Sequence, residues 1–528
     1  MKHEGLRVYV LDGASTIGGT KILLVLEDEA LILDFGFNFH KYGLFFEELL
    51  SPRERMGISE FLAMELLPNF EDLYRQDLRA NHPIQPKGSL RDIGVSEVAG
   101  VFLSHPHRDH FALAGFLRKG IPAIATAECA MVMEACQKAY RGVGLEVIHT
   151  RMREKTEEGV LQTSRNEPPS LRPLLLFSEV GPEECKRSVT EFLGEEEAEV
   201  GRKCWFKGLG EWAEVGPFEV TLFEVDHSAP GSAAIAVRTG EGLVVYTGDF
   251  RMHGARAERT REFIERLEGE EVLALIIEGT RVDERRKKGP RSEEELKKEI
   301  CSILRRAEGR AVVAMPPSRH PERLCSFLFA ASESGRRLVL TSKEMYVMLA
   351  ASAFDSVAEK VASKALLLKD RKARYERWER ELIEWAGERL IEPSQIREEP
   401  GEYVVCLDFW RLNMLLEMAD SIEGGVFIYS TSEPHNEEQE CDMERVRNWV
   451  RKMRMEMVGD PEEGTRLHVS GHATRGAIKE LVKALRPKYL IPVHTTAPQR
   501  FKKVARKAGA KLLLPSGPYE PIPLGGRA

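Results

Sequence analysis

The sequence predicts an α/β protein: a sandwich that gathers acidic and histidine side chains at one edge, with a second α/β unit attached. Three observations carry this expectation. His105, His107, Asp109 and His110 fall within six residues, directly after the apolar run Val101-Phe102-Leu103. Further apolar runs end at His227, Asp249, Glu278 and His494, and strand ends that deliver such side chains build a site along one edge. After Gly289-Pro290 the texture changes to AVVAMPP, RLVLTS, YVVCLDF and GVFIYSTS, buried-type strands with helical segments between them, as in an open, mostly parallel sheet.

Composition narrows the classes. At 528 residues the chain is too long for one simple core, so two or three domains are expected. The apolar fraction of 42% is ordinary for a folded protein. No run of eighteen apolar residues is present, so no membrane span is expected. The opening MKHEGLRVYVLDG lacks the apolar stretch of a secretion signal. The 8 cysteines are scattered without a CxxC pair, which favours a reducing cytoplasm over a disulfide or Cys-zinc framework. Charged residues make up 30%, and the few Asn and Gln complete a bias seen in thermophile proteins, so a high thermal midpoint is expected. The net charge of −8 argues against a general nucleic-acid coat. Binding needs only a local patch, for which Arg281–Arg291, Lys369–Arg380, Arg445–Arg454 and Arg486–Lys511 are candidates; each reads first as a solvated helix face.

Along the chain, residues 6–36 read as a β-meander of LRVYVL, KILLVLED and EALILDFG, parted by Gly and Asp turns. Gly13, Gly18 and Gly19 are not a dinucleotide fingerprint, since no helical pattern follows. Asp34 closes the third run, where it can support a histidine. Residues 37–97 read as amphipathic helices, with Phe45, Phe46, Leu49 and Leu50 at core spacing. Tyr74, Arg75 and Asp77 in LYRQDLR could approach a substrate, though nothing in the pattern requires it. In VFLSHPHRDH, alternate residues of an extended segment point the same way, so His105 and His107 can share one metal. Asp109 and His110 follow the bend and can face a second.

Residues 120–217 read as weak strands among charged sequence, with loops at 154–167 and 194–201. FEVTLFEVDH, LVVYTGDF and VLALIIEGT then end in His227, Asp249 and Glu278. In the second unit, 356–392 reads as a charged helical segment, while PPSRH and STSEPH offer Ser318, Arg319, His320, Ser430 and His435 for phosphate or sugar contacts. Residues 466–495 read strand, turn, helix, strand, a βαβ unit that brings His472 and His494 together.

This inventory suffices for two zinc ions, and manganese accepts the same donors. His105, His107 and His227 take one metal; Asp109, His110 and His494 take the other; Asp249 bridges. Such a pair can hold a hydroxide and stabilise in-line displacement at phosphorus. His472 remains free to donate to a phosphate or leaving-group oxygen. Asp109, His472, Asp249 and Glu278 are the expected catalytic set.

HPHRDH resembles the HxHxDH signature of the metallo-β-lactamase superfamily, and Asp34, His105–His110, His227 and Asp249 match its first four motifs. Glu278 in EGT, His472 in SGHA and His494 in PVHT resemble motifs A, B and C of the β-CASP nucleases. HVSGHATRGAIKELVKALRPKYLIPVH resembles the ribonuclease J group specifically. The resemblance implies an αββα sandwich interrupted by a β-CASP domain. The expected division is 1–288 for the first part of the sandwich, with insertions at about 37–95 and 130–215, then 289–438 for β-CASP and 439–528 for the rest of the sandwich. It implies an RNA substrate, because a motif C histidine accompanies RNA-cleaving members and valine the DNA-processing ones. It implies 5′-to-3′ exonuclease action, with endonuclease action also open. A 5′-phosphate pocket is expected at Ser470, Gly471, His472 and Ala473, with Ser318 and Ser430 as further candidates. Asp34 and Glu278 are expected behind the ligands. About thirty residues follow His494, so the group's separate C-terminal domain is not expected; the oligomeric state stays open, a homodimer included. No RNA-binding module is expected ahead of the nuclease core. The alternatives are a DNA nuclease, against which His494 argues; a small-molecule metallo-hydrolase, against which the second domain argues; and a non-catalytic RNA-binding subunit, against which the complete ligand set argues.

Overall fold

The computed structural model describes residues 5–47, 49–84, 88–140, 142–283, 292–434, 437–463 and 467–525. The apolar runs that open the sequence form the strands Leu6–Asp12, Lys21–Leu26 and Glu29–Phe35, paired as an antiparallel meander. They are buried along nearly their whole length, which explains why they read as continuous apolar runs and not as alternating ones. They join Glu97–Phe102, Ala123–Thr126, Leu174–Ser178, Cys204–Gly208 and Ile522–Leu524 in an eight-stranded sheet. A seven-stranded sheet lies against it, ordered Ala213–Val215, Phe218–Glu224, Ala233–Thr239, Gly242–Tyr246, Val272–Glu278, Tyr489–Val493 and Lys511–Leu512.

Val8, Leu24, Leu33 and Phe102 from the first sheet pack with Val220, Ile235, Val244, Ile276 and Ile491 from the second. Each such side chain contributes about 1.5–3 kcal/mol when fully buried. The outer faces are covered by helices: Leu23, Ile32 and Val101 meet Met131 and Ala135 of Ala127–Ala139, and Leu275 and Ile277 meet Phe263 and Leu481. The result is an αββα sandwich.

The chain leaves the second sheet after Glu278 and builds a third, seven-stranded and wholly parallel sheet. Its central strands are Arg337–Leu340, Tyr403–Cys406, Val312–Met315 and Val426–Tyr429, the four apolar runs expected. Two details correct the sequence reading. Residues 356–392 are not one helical segment but contain the strands Leu366–Leu368 and Leu390–Ile391, too short to show a period. Helix Glu437–Lys452 and strand Glu456–Val458 continue this unit past the boundary expected at 438. Gly289-Pro290, the other expected boundary, lies outside the described residues, as do 284–291 of the Arg281–Arg291 patch.

Residues 37–95 are not the amphipathic helices expected. They form two five-residue helices, Phe39–Gly43 and Ser59–Ala63, and several 3-10 turns. Phe45, Leu49 and Leu50 are 48%, 91% and 60% exposed, so they do not pack in the core. Glu47 instead caps a turn by accepting from the Leu49 and Leu50 amides at 3.0 and 2.8 Å. Tyr74 and Arg75 are buried in structural bonds, to the Pro68 carbonyl and to Asp77.

The 120–217 stretch hides the helix Ala127–Ala139, buried on every side and therefore without a polar face to reveal it. The loop expected at 154–167 holds a hairpin of Arg153–Lys155 with Leu161–Thr163, and that at 194–201 runs into the helix Glu197–Lys203. Among the described residues, no helix is long and apolar enough to cross a membrane.

His149 clamps this region. Its Nδ1 lies 2.9 Å from Glu134 and its Nε2 3.0 Å from Glu195. Burial alone would lower its pKa, but the bond and charge of Glu134, and then Glu195, raise it above the ordinary 6.5. A histidine raised on folding stabilises fully below its unfolded pKa, and this is lost as pH rises through the folded value. Wild-type thermal stability should therefore fall more steeply between pH 6 and 8 than that of His149→Gln, by thermal melts across that range. Parallel pH profiles would contradict the clamp.

Candidate active site

The site is assembled where strands and turns of both sandwich sheets end on one edge. Asp34, at the end of Glu29–Phe35, is fully buried and sits at φ 58°, a left-handed conformation unusual for a residue with a side chain. Its Oδ1 accepts from the Ser104 amide at 2.7 Å. Its Oδ2 accepts from the Ser104 hydroxyl and the Tyr246 hydroxyl, both at 2.7 Å. The same oxygen lies 2.7 Å from His110 Nδ1, so His110 donates there and turns Nε2 toward the site.

The HPHRDH turn can seat only because glycine lies beneath it. A Cβ at Gly36 would fall 1.6 Å from the Asp109 carbonyl oxygen, and one at Gly18 would fall 2.8 Å from the Asp109 carboxylate. The Gly19 amide donates to the Asp109 carbonyl at 3.1 Å. The Gly13–Gly19 loop therefore serves as a rest for the cluster.

His227 lies beyond Phe218–Glu224, its Nε2 3.1 Å from His107 Nδ1 and its Nδ1 donating to the Gly471 carbonyl at 2.6 Å. Asp249 follows Gly248, whose φ of 55° makes the tight turn. Asp249 Oδ2 lies 3.7 Å from His105 Nε2, 3.3 Å from His110 Nε2, 3.5 Å from His472 Nδ1 and 3.8 Å from His494 Nε2. His494 ends Tyr489–Val493 at φ 51°, donates its amide to the Gly13 carbonyl at 2.7 Å and lies 3.2 Å from Asp109.

Four sets of ligand atoms lie within 4.8 Å of one another: His105/His107/His227, Asp109/His110/His494, His105/His110/Asp249 and Asp249/Glu278/His472/His494. His105 Nε2, His110 Nε2 and Asp249 Oδ1 are buried and have no hydrogen-bond partner. A buried polar atom left unpaired costs about 1–3 kcal/mol, and the three that converge here could be satisfied by cations. Imidazole and carboxylate suit zinc and manganese alike.

Electrostatics agree. Burial, then the neighbouring imidazoles, hold His105 well below the usual histidine range. Burial is also the main cause that brings His107 down to about 3 and His227 well below 6.5, so all three are neutral and offer a lone pair. Burial opposes the charged forms of Asp249 and His472 too, but it is outweighed. His494, His110 and His472 pull Asp249 well down, while Asp249 and Glu278 push His472 up to about 9.

His472 and His494 stack 5.5 Å apart, but not through a βαβ unit. Residues 467–470 are not a strand; His472 sits in a loop before helix Arg475–Leu485. Strand Tyr489–Val493 pairs with Val272–Glu278, which brings His494 beside Glu278. Glu278 then fixes the loop, its Oε1 accepting from the Ala473 amide at 2.9 Å.

That bond also corrects the phosphate cradle expected at Ser470, Gly471, His472 and Ala473. The Ala473 amide is taken by Glu278, and the His472 amide donates to Ser470 Oγ at 3.2 Å. Ser430 is buried, donating to the Leu467 carbonyl at 2.7 Å and accepting from Arg323 at 3.1 Å, so it is an internal brace and not a pocket wall. Ser318 lines the cavity between sandwich and inserted unit. His320 is buried against Arg251 and Glu322. His435 lies outside the described residues.

Sequence reasoning missed Thr280, whose hydroxyl lies 3.2 Å from His472 Nδ1 and 2.9 Å from His494 Nδ1. Its place two residues after Glu278 was the only signal. It also missed Ser104 and Tyr246, whose partner Asp34 is distant in sequence. Asp34→Asn removes the charge that four donors share and should weaken divalent-metal affinity about 10–100-fold, by competition with a chelating dye. Unchanged affinity would contradict the supporting role.

Residues 465–515 match the family described as RMMBL, Zn-dependent metallo-hydrolase RNA specificity domain. The chain is 29% identical to Ribonuclease J 2 of Streptococcus pyogenes over 289 residues, covering 52% of this chain and 46% of that protein. It is 27% identical to Ribonuclease J of Thermus thermophilus over 282 residues, covering 52% and 45%. It is 25% identical to Ribonuclease J of Pyrococcus abyssi over 325 residues, covering 58% and 65%. The chain thus spans about half the length of the first two of these relatives. A crystal structure of a protein of unknown function from Enterococcus faecalis shares the fold, with a TM-score of 0.66 and 19% identity over 98% of this chain and 100% of that one. With its αββα sandwich, its interrupting parallel sheet and these relatives, the chain is similar to the ribonuclease J proteins.

Proposed function

We propose that the chain is a divalent-metal-dependent ribonuclease that hydrolyses RNA phosphodiester bonds, chiefly by trimming from the 5′ end. The observation that carries this reading is the convergence of buried, unpaired imidazole and carboxylate atoms around Asp249. The RNA specificity match over 465–515 and the ribonuclease J relatives support RNA as the substrate. The unpaired state of all eight cysteines supports a reducing, cytoplasmic setting.

In this reading His105, His107 and His227 would hold one zinc or manganese ion and Asp109, His110 and His494 a second, with Asp249 within reach of both sets of ligands. Bound there, divalent cations would supply a water of pKa about 7 and positive charge for phosphoryl oxygens. The chain's own groups do the rest. Asp34 orients His110 through Nδ1. Glu278 holds the loop that presents His472. His472, only 24% exposed and within reach of Asp249 and Glu278, holds a proton and delivers it to a phosphate or leaving-group oxygen. The Thr280 hydroxyl lies between His472 and His494 and fixes both rings.

The test uses a short RNA, labelled at one end and then the other, carrying 5′-monophosphate or 5′-triphosphate, beside the same DNA. Mononucleotides should leave the 5′ end of the monophosphate RNA, a chelator should stop this, and DNA should be spared. Intact RNA in the presence of zinc and manganese would overturn the reading. Asp109→Ala and His472→Ala should each lower kcat by about 10²–10⁴-fold with circular dichroism unchanged. Near-normal turnover in both would contradict the assigned roles.

A further inference from the structure

Between the sandwich and the inserted unit lies a cavity of about 1770 Å³, and one part of its wall has no role in the site described above. Arg319 and Lys343 lie there against Tyr140, and Arg108 lines the same cavity. Arg319 Nη1 donates to the Pro106 carbonyl at 3.0 Å, between His105 and His107, and its guanidinium lies 5.3 Å from the Tyr140 ring centre. Lys343 Nζ lies 4.2 Å from the same ring centre. Arg108, one residue before Asp109, stacks its guanidinium 5.7 and 5.9 Å from the rings of Phe37 and Phe39.

Among the described residues, none of these three cations lies within 4.0 Å of a carboxylate oxygen. Neighbouring cations are treated differently: Arg411 is paired with Asp370 and Lys372 with Glu379. Asp408 acts on Lys343 only from beyond that distance, and burial pushes the Asp408 carboxyl up toward neutrality. Three cations against aromatic faces, with no carboxylate oxygen within 4.0 Å among the described residues, offer charge for an anion beside Asp109. Trp410, 64% exposed on the same cavity, adds a flat face on which a base can stack, which suits a strand better than a free inorganic ion.

We propose that Arg319, Lys343 and Arg108 anchor the phosphate next to the scissile one, so that the enzyme selects an oligonucleotide strand over an isolated phosphodiester. This rests on the ribonuclease reading. The anchor is a binding determinant and takes no part in the chemistry at phosphorus.

The experiment compares wild type with Arg319→Gln and Lys343→Gln. Lys343→Gln leaves the Pro106 contact intact, so it remains informative if Arg319→Gln disturbs the HPHRDH turn. Each variant should raise KM for RNA several-fold with little change in kcat. The plot of log affinity against log salt, read by anisotropy of labelled RNA in chelator, should lose about one unit of slope per cation removed. A neutral methylphosphonate next to the scissile bond should raise the wild-type KM by a similar factor and add little to either variant. Wild-type RNA cleavage with Lys343→Gln matching wild type in KM, salt slope and methylphosphonate penalty would overturn the anchor alone. A wild type that neither binds nor cleaves RNA would overturn the ribonuclease reading as well.

Discussion

A single oxygen, Asp249 Oδ2, lies within 4 Å of four histidines that come from three separate stretches of chain. That convergence is the constraint the structure is built to meet. Burying so many ionisable groups together is costly, and the fold offsets the cost in two ways. Two large apolar sheets supply the stability, and hydrogen bonds supply direction: Asp34 to His110, Glu278 to Ala473, the Gly13 carbonyl to His494. What remains unpaired is a set of lone pairs facing one another, which cations would satisfy. Asp34 and His494 both hold left-handed backbone conformations, so part of the strain is stored where the ligands are aimed.

The inserted unit does more than cover the cleft. Arg323 donates to both Glu293 oxygens at 3.0 Å and to the Ser430 carbonyl at 2.6 Å, and reaches the Val469 carbonyl at 3.5 Å. From the sandwich side, Arg251 donates to Asp226 at 2.9 Å and reaches Glu293 and the Ser470 carbonyl at 3.4 Å. The segment leading to His472 is thus gripped by two arginines, one from each unit, that share Glu293. His472 geometry depends on how the units dock, and a change at their interface is felt at the candidate proton donor.

Much of this was legible in the sequence. Strands buried on both faces write continuous apolar runs, so the opening meander and the four central strands of the inserted sheet could be read directly. The ligand residues could be read because each follows such a run. Three kinds of feature could not. Helix Ala127–Ala139 has no polar face and so no amphipathic signal. Phe45, Leu49 and Leu50 have helical spacing, yet Glu47 ties the segment into a turn that leaves them outside. The amides of the His472 loop looked free for phosphate because Glu278 and Ser470, which occupy two of them, reveal that only in three dimensions.

The proposed function requires the cluster around Asp249 to hold two divalent cations. The most direct measurement is metal stoichiometry of the purified chain by inductively coupled plasma mass spectrometry, with anomalous scattering at the metal edge to locate each ion. Two ions per chain are expected, one among His105, His107 and His227 and one among Asp109, His110 and His494. A folded chain that, dialysed against zinc and then manganese, retains no ion at these positions would contradict this.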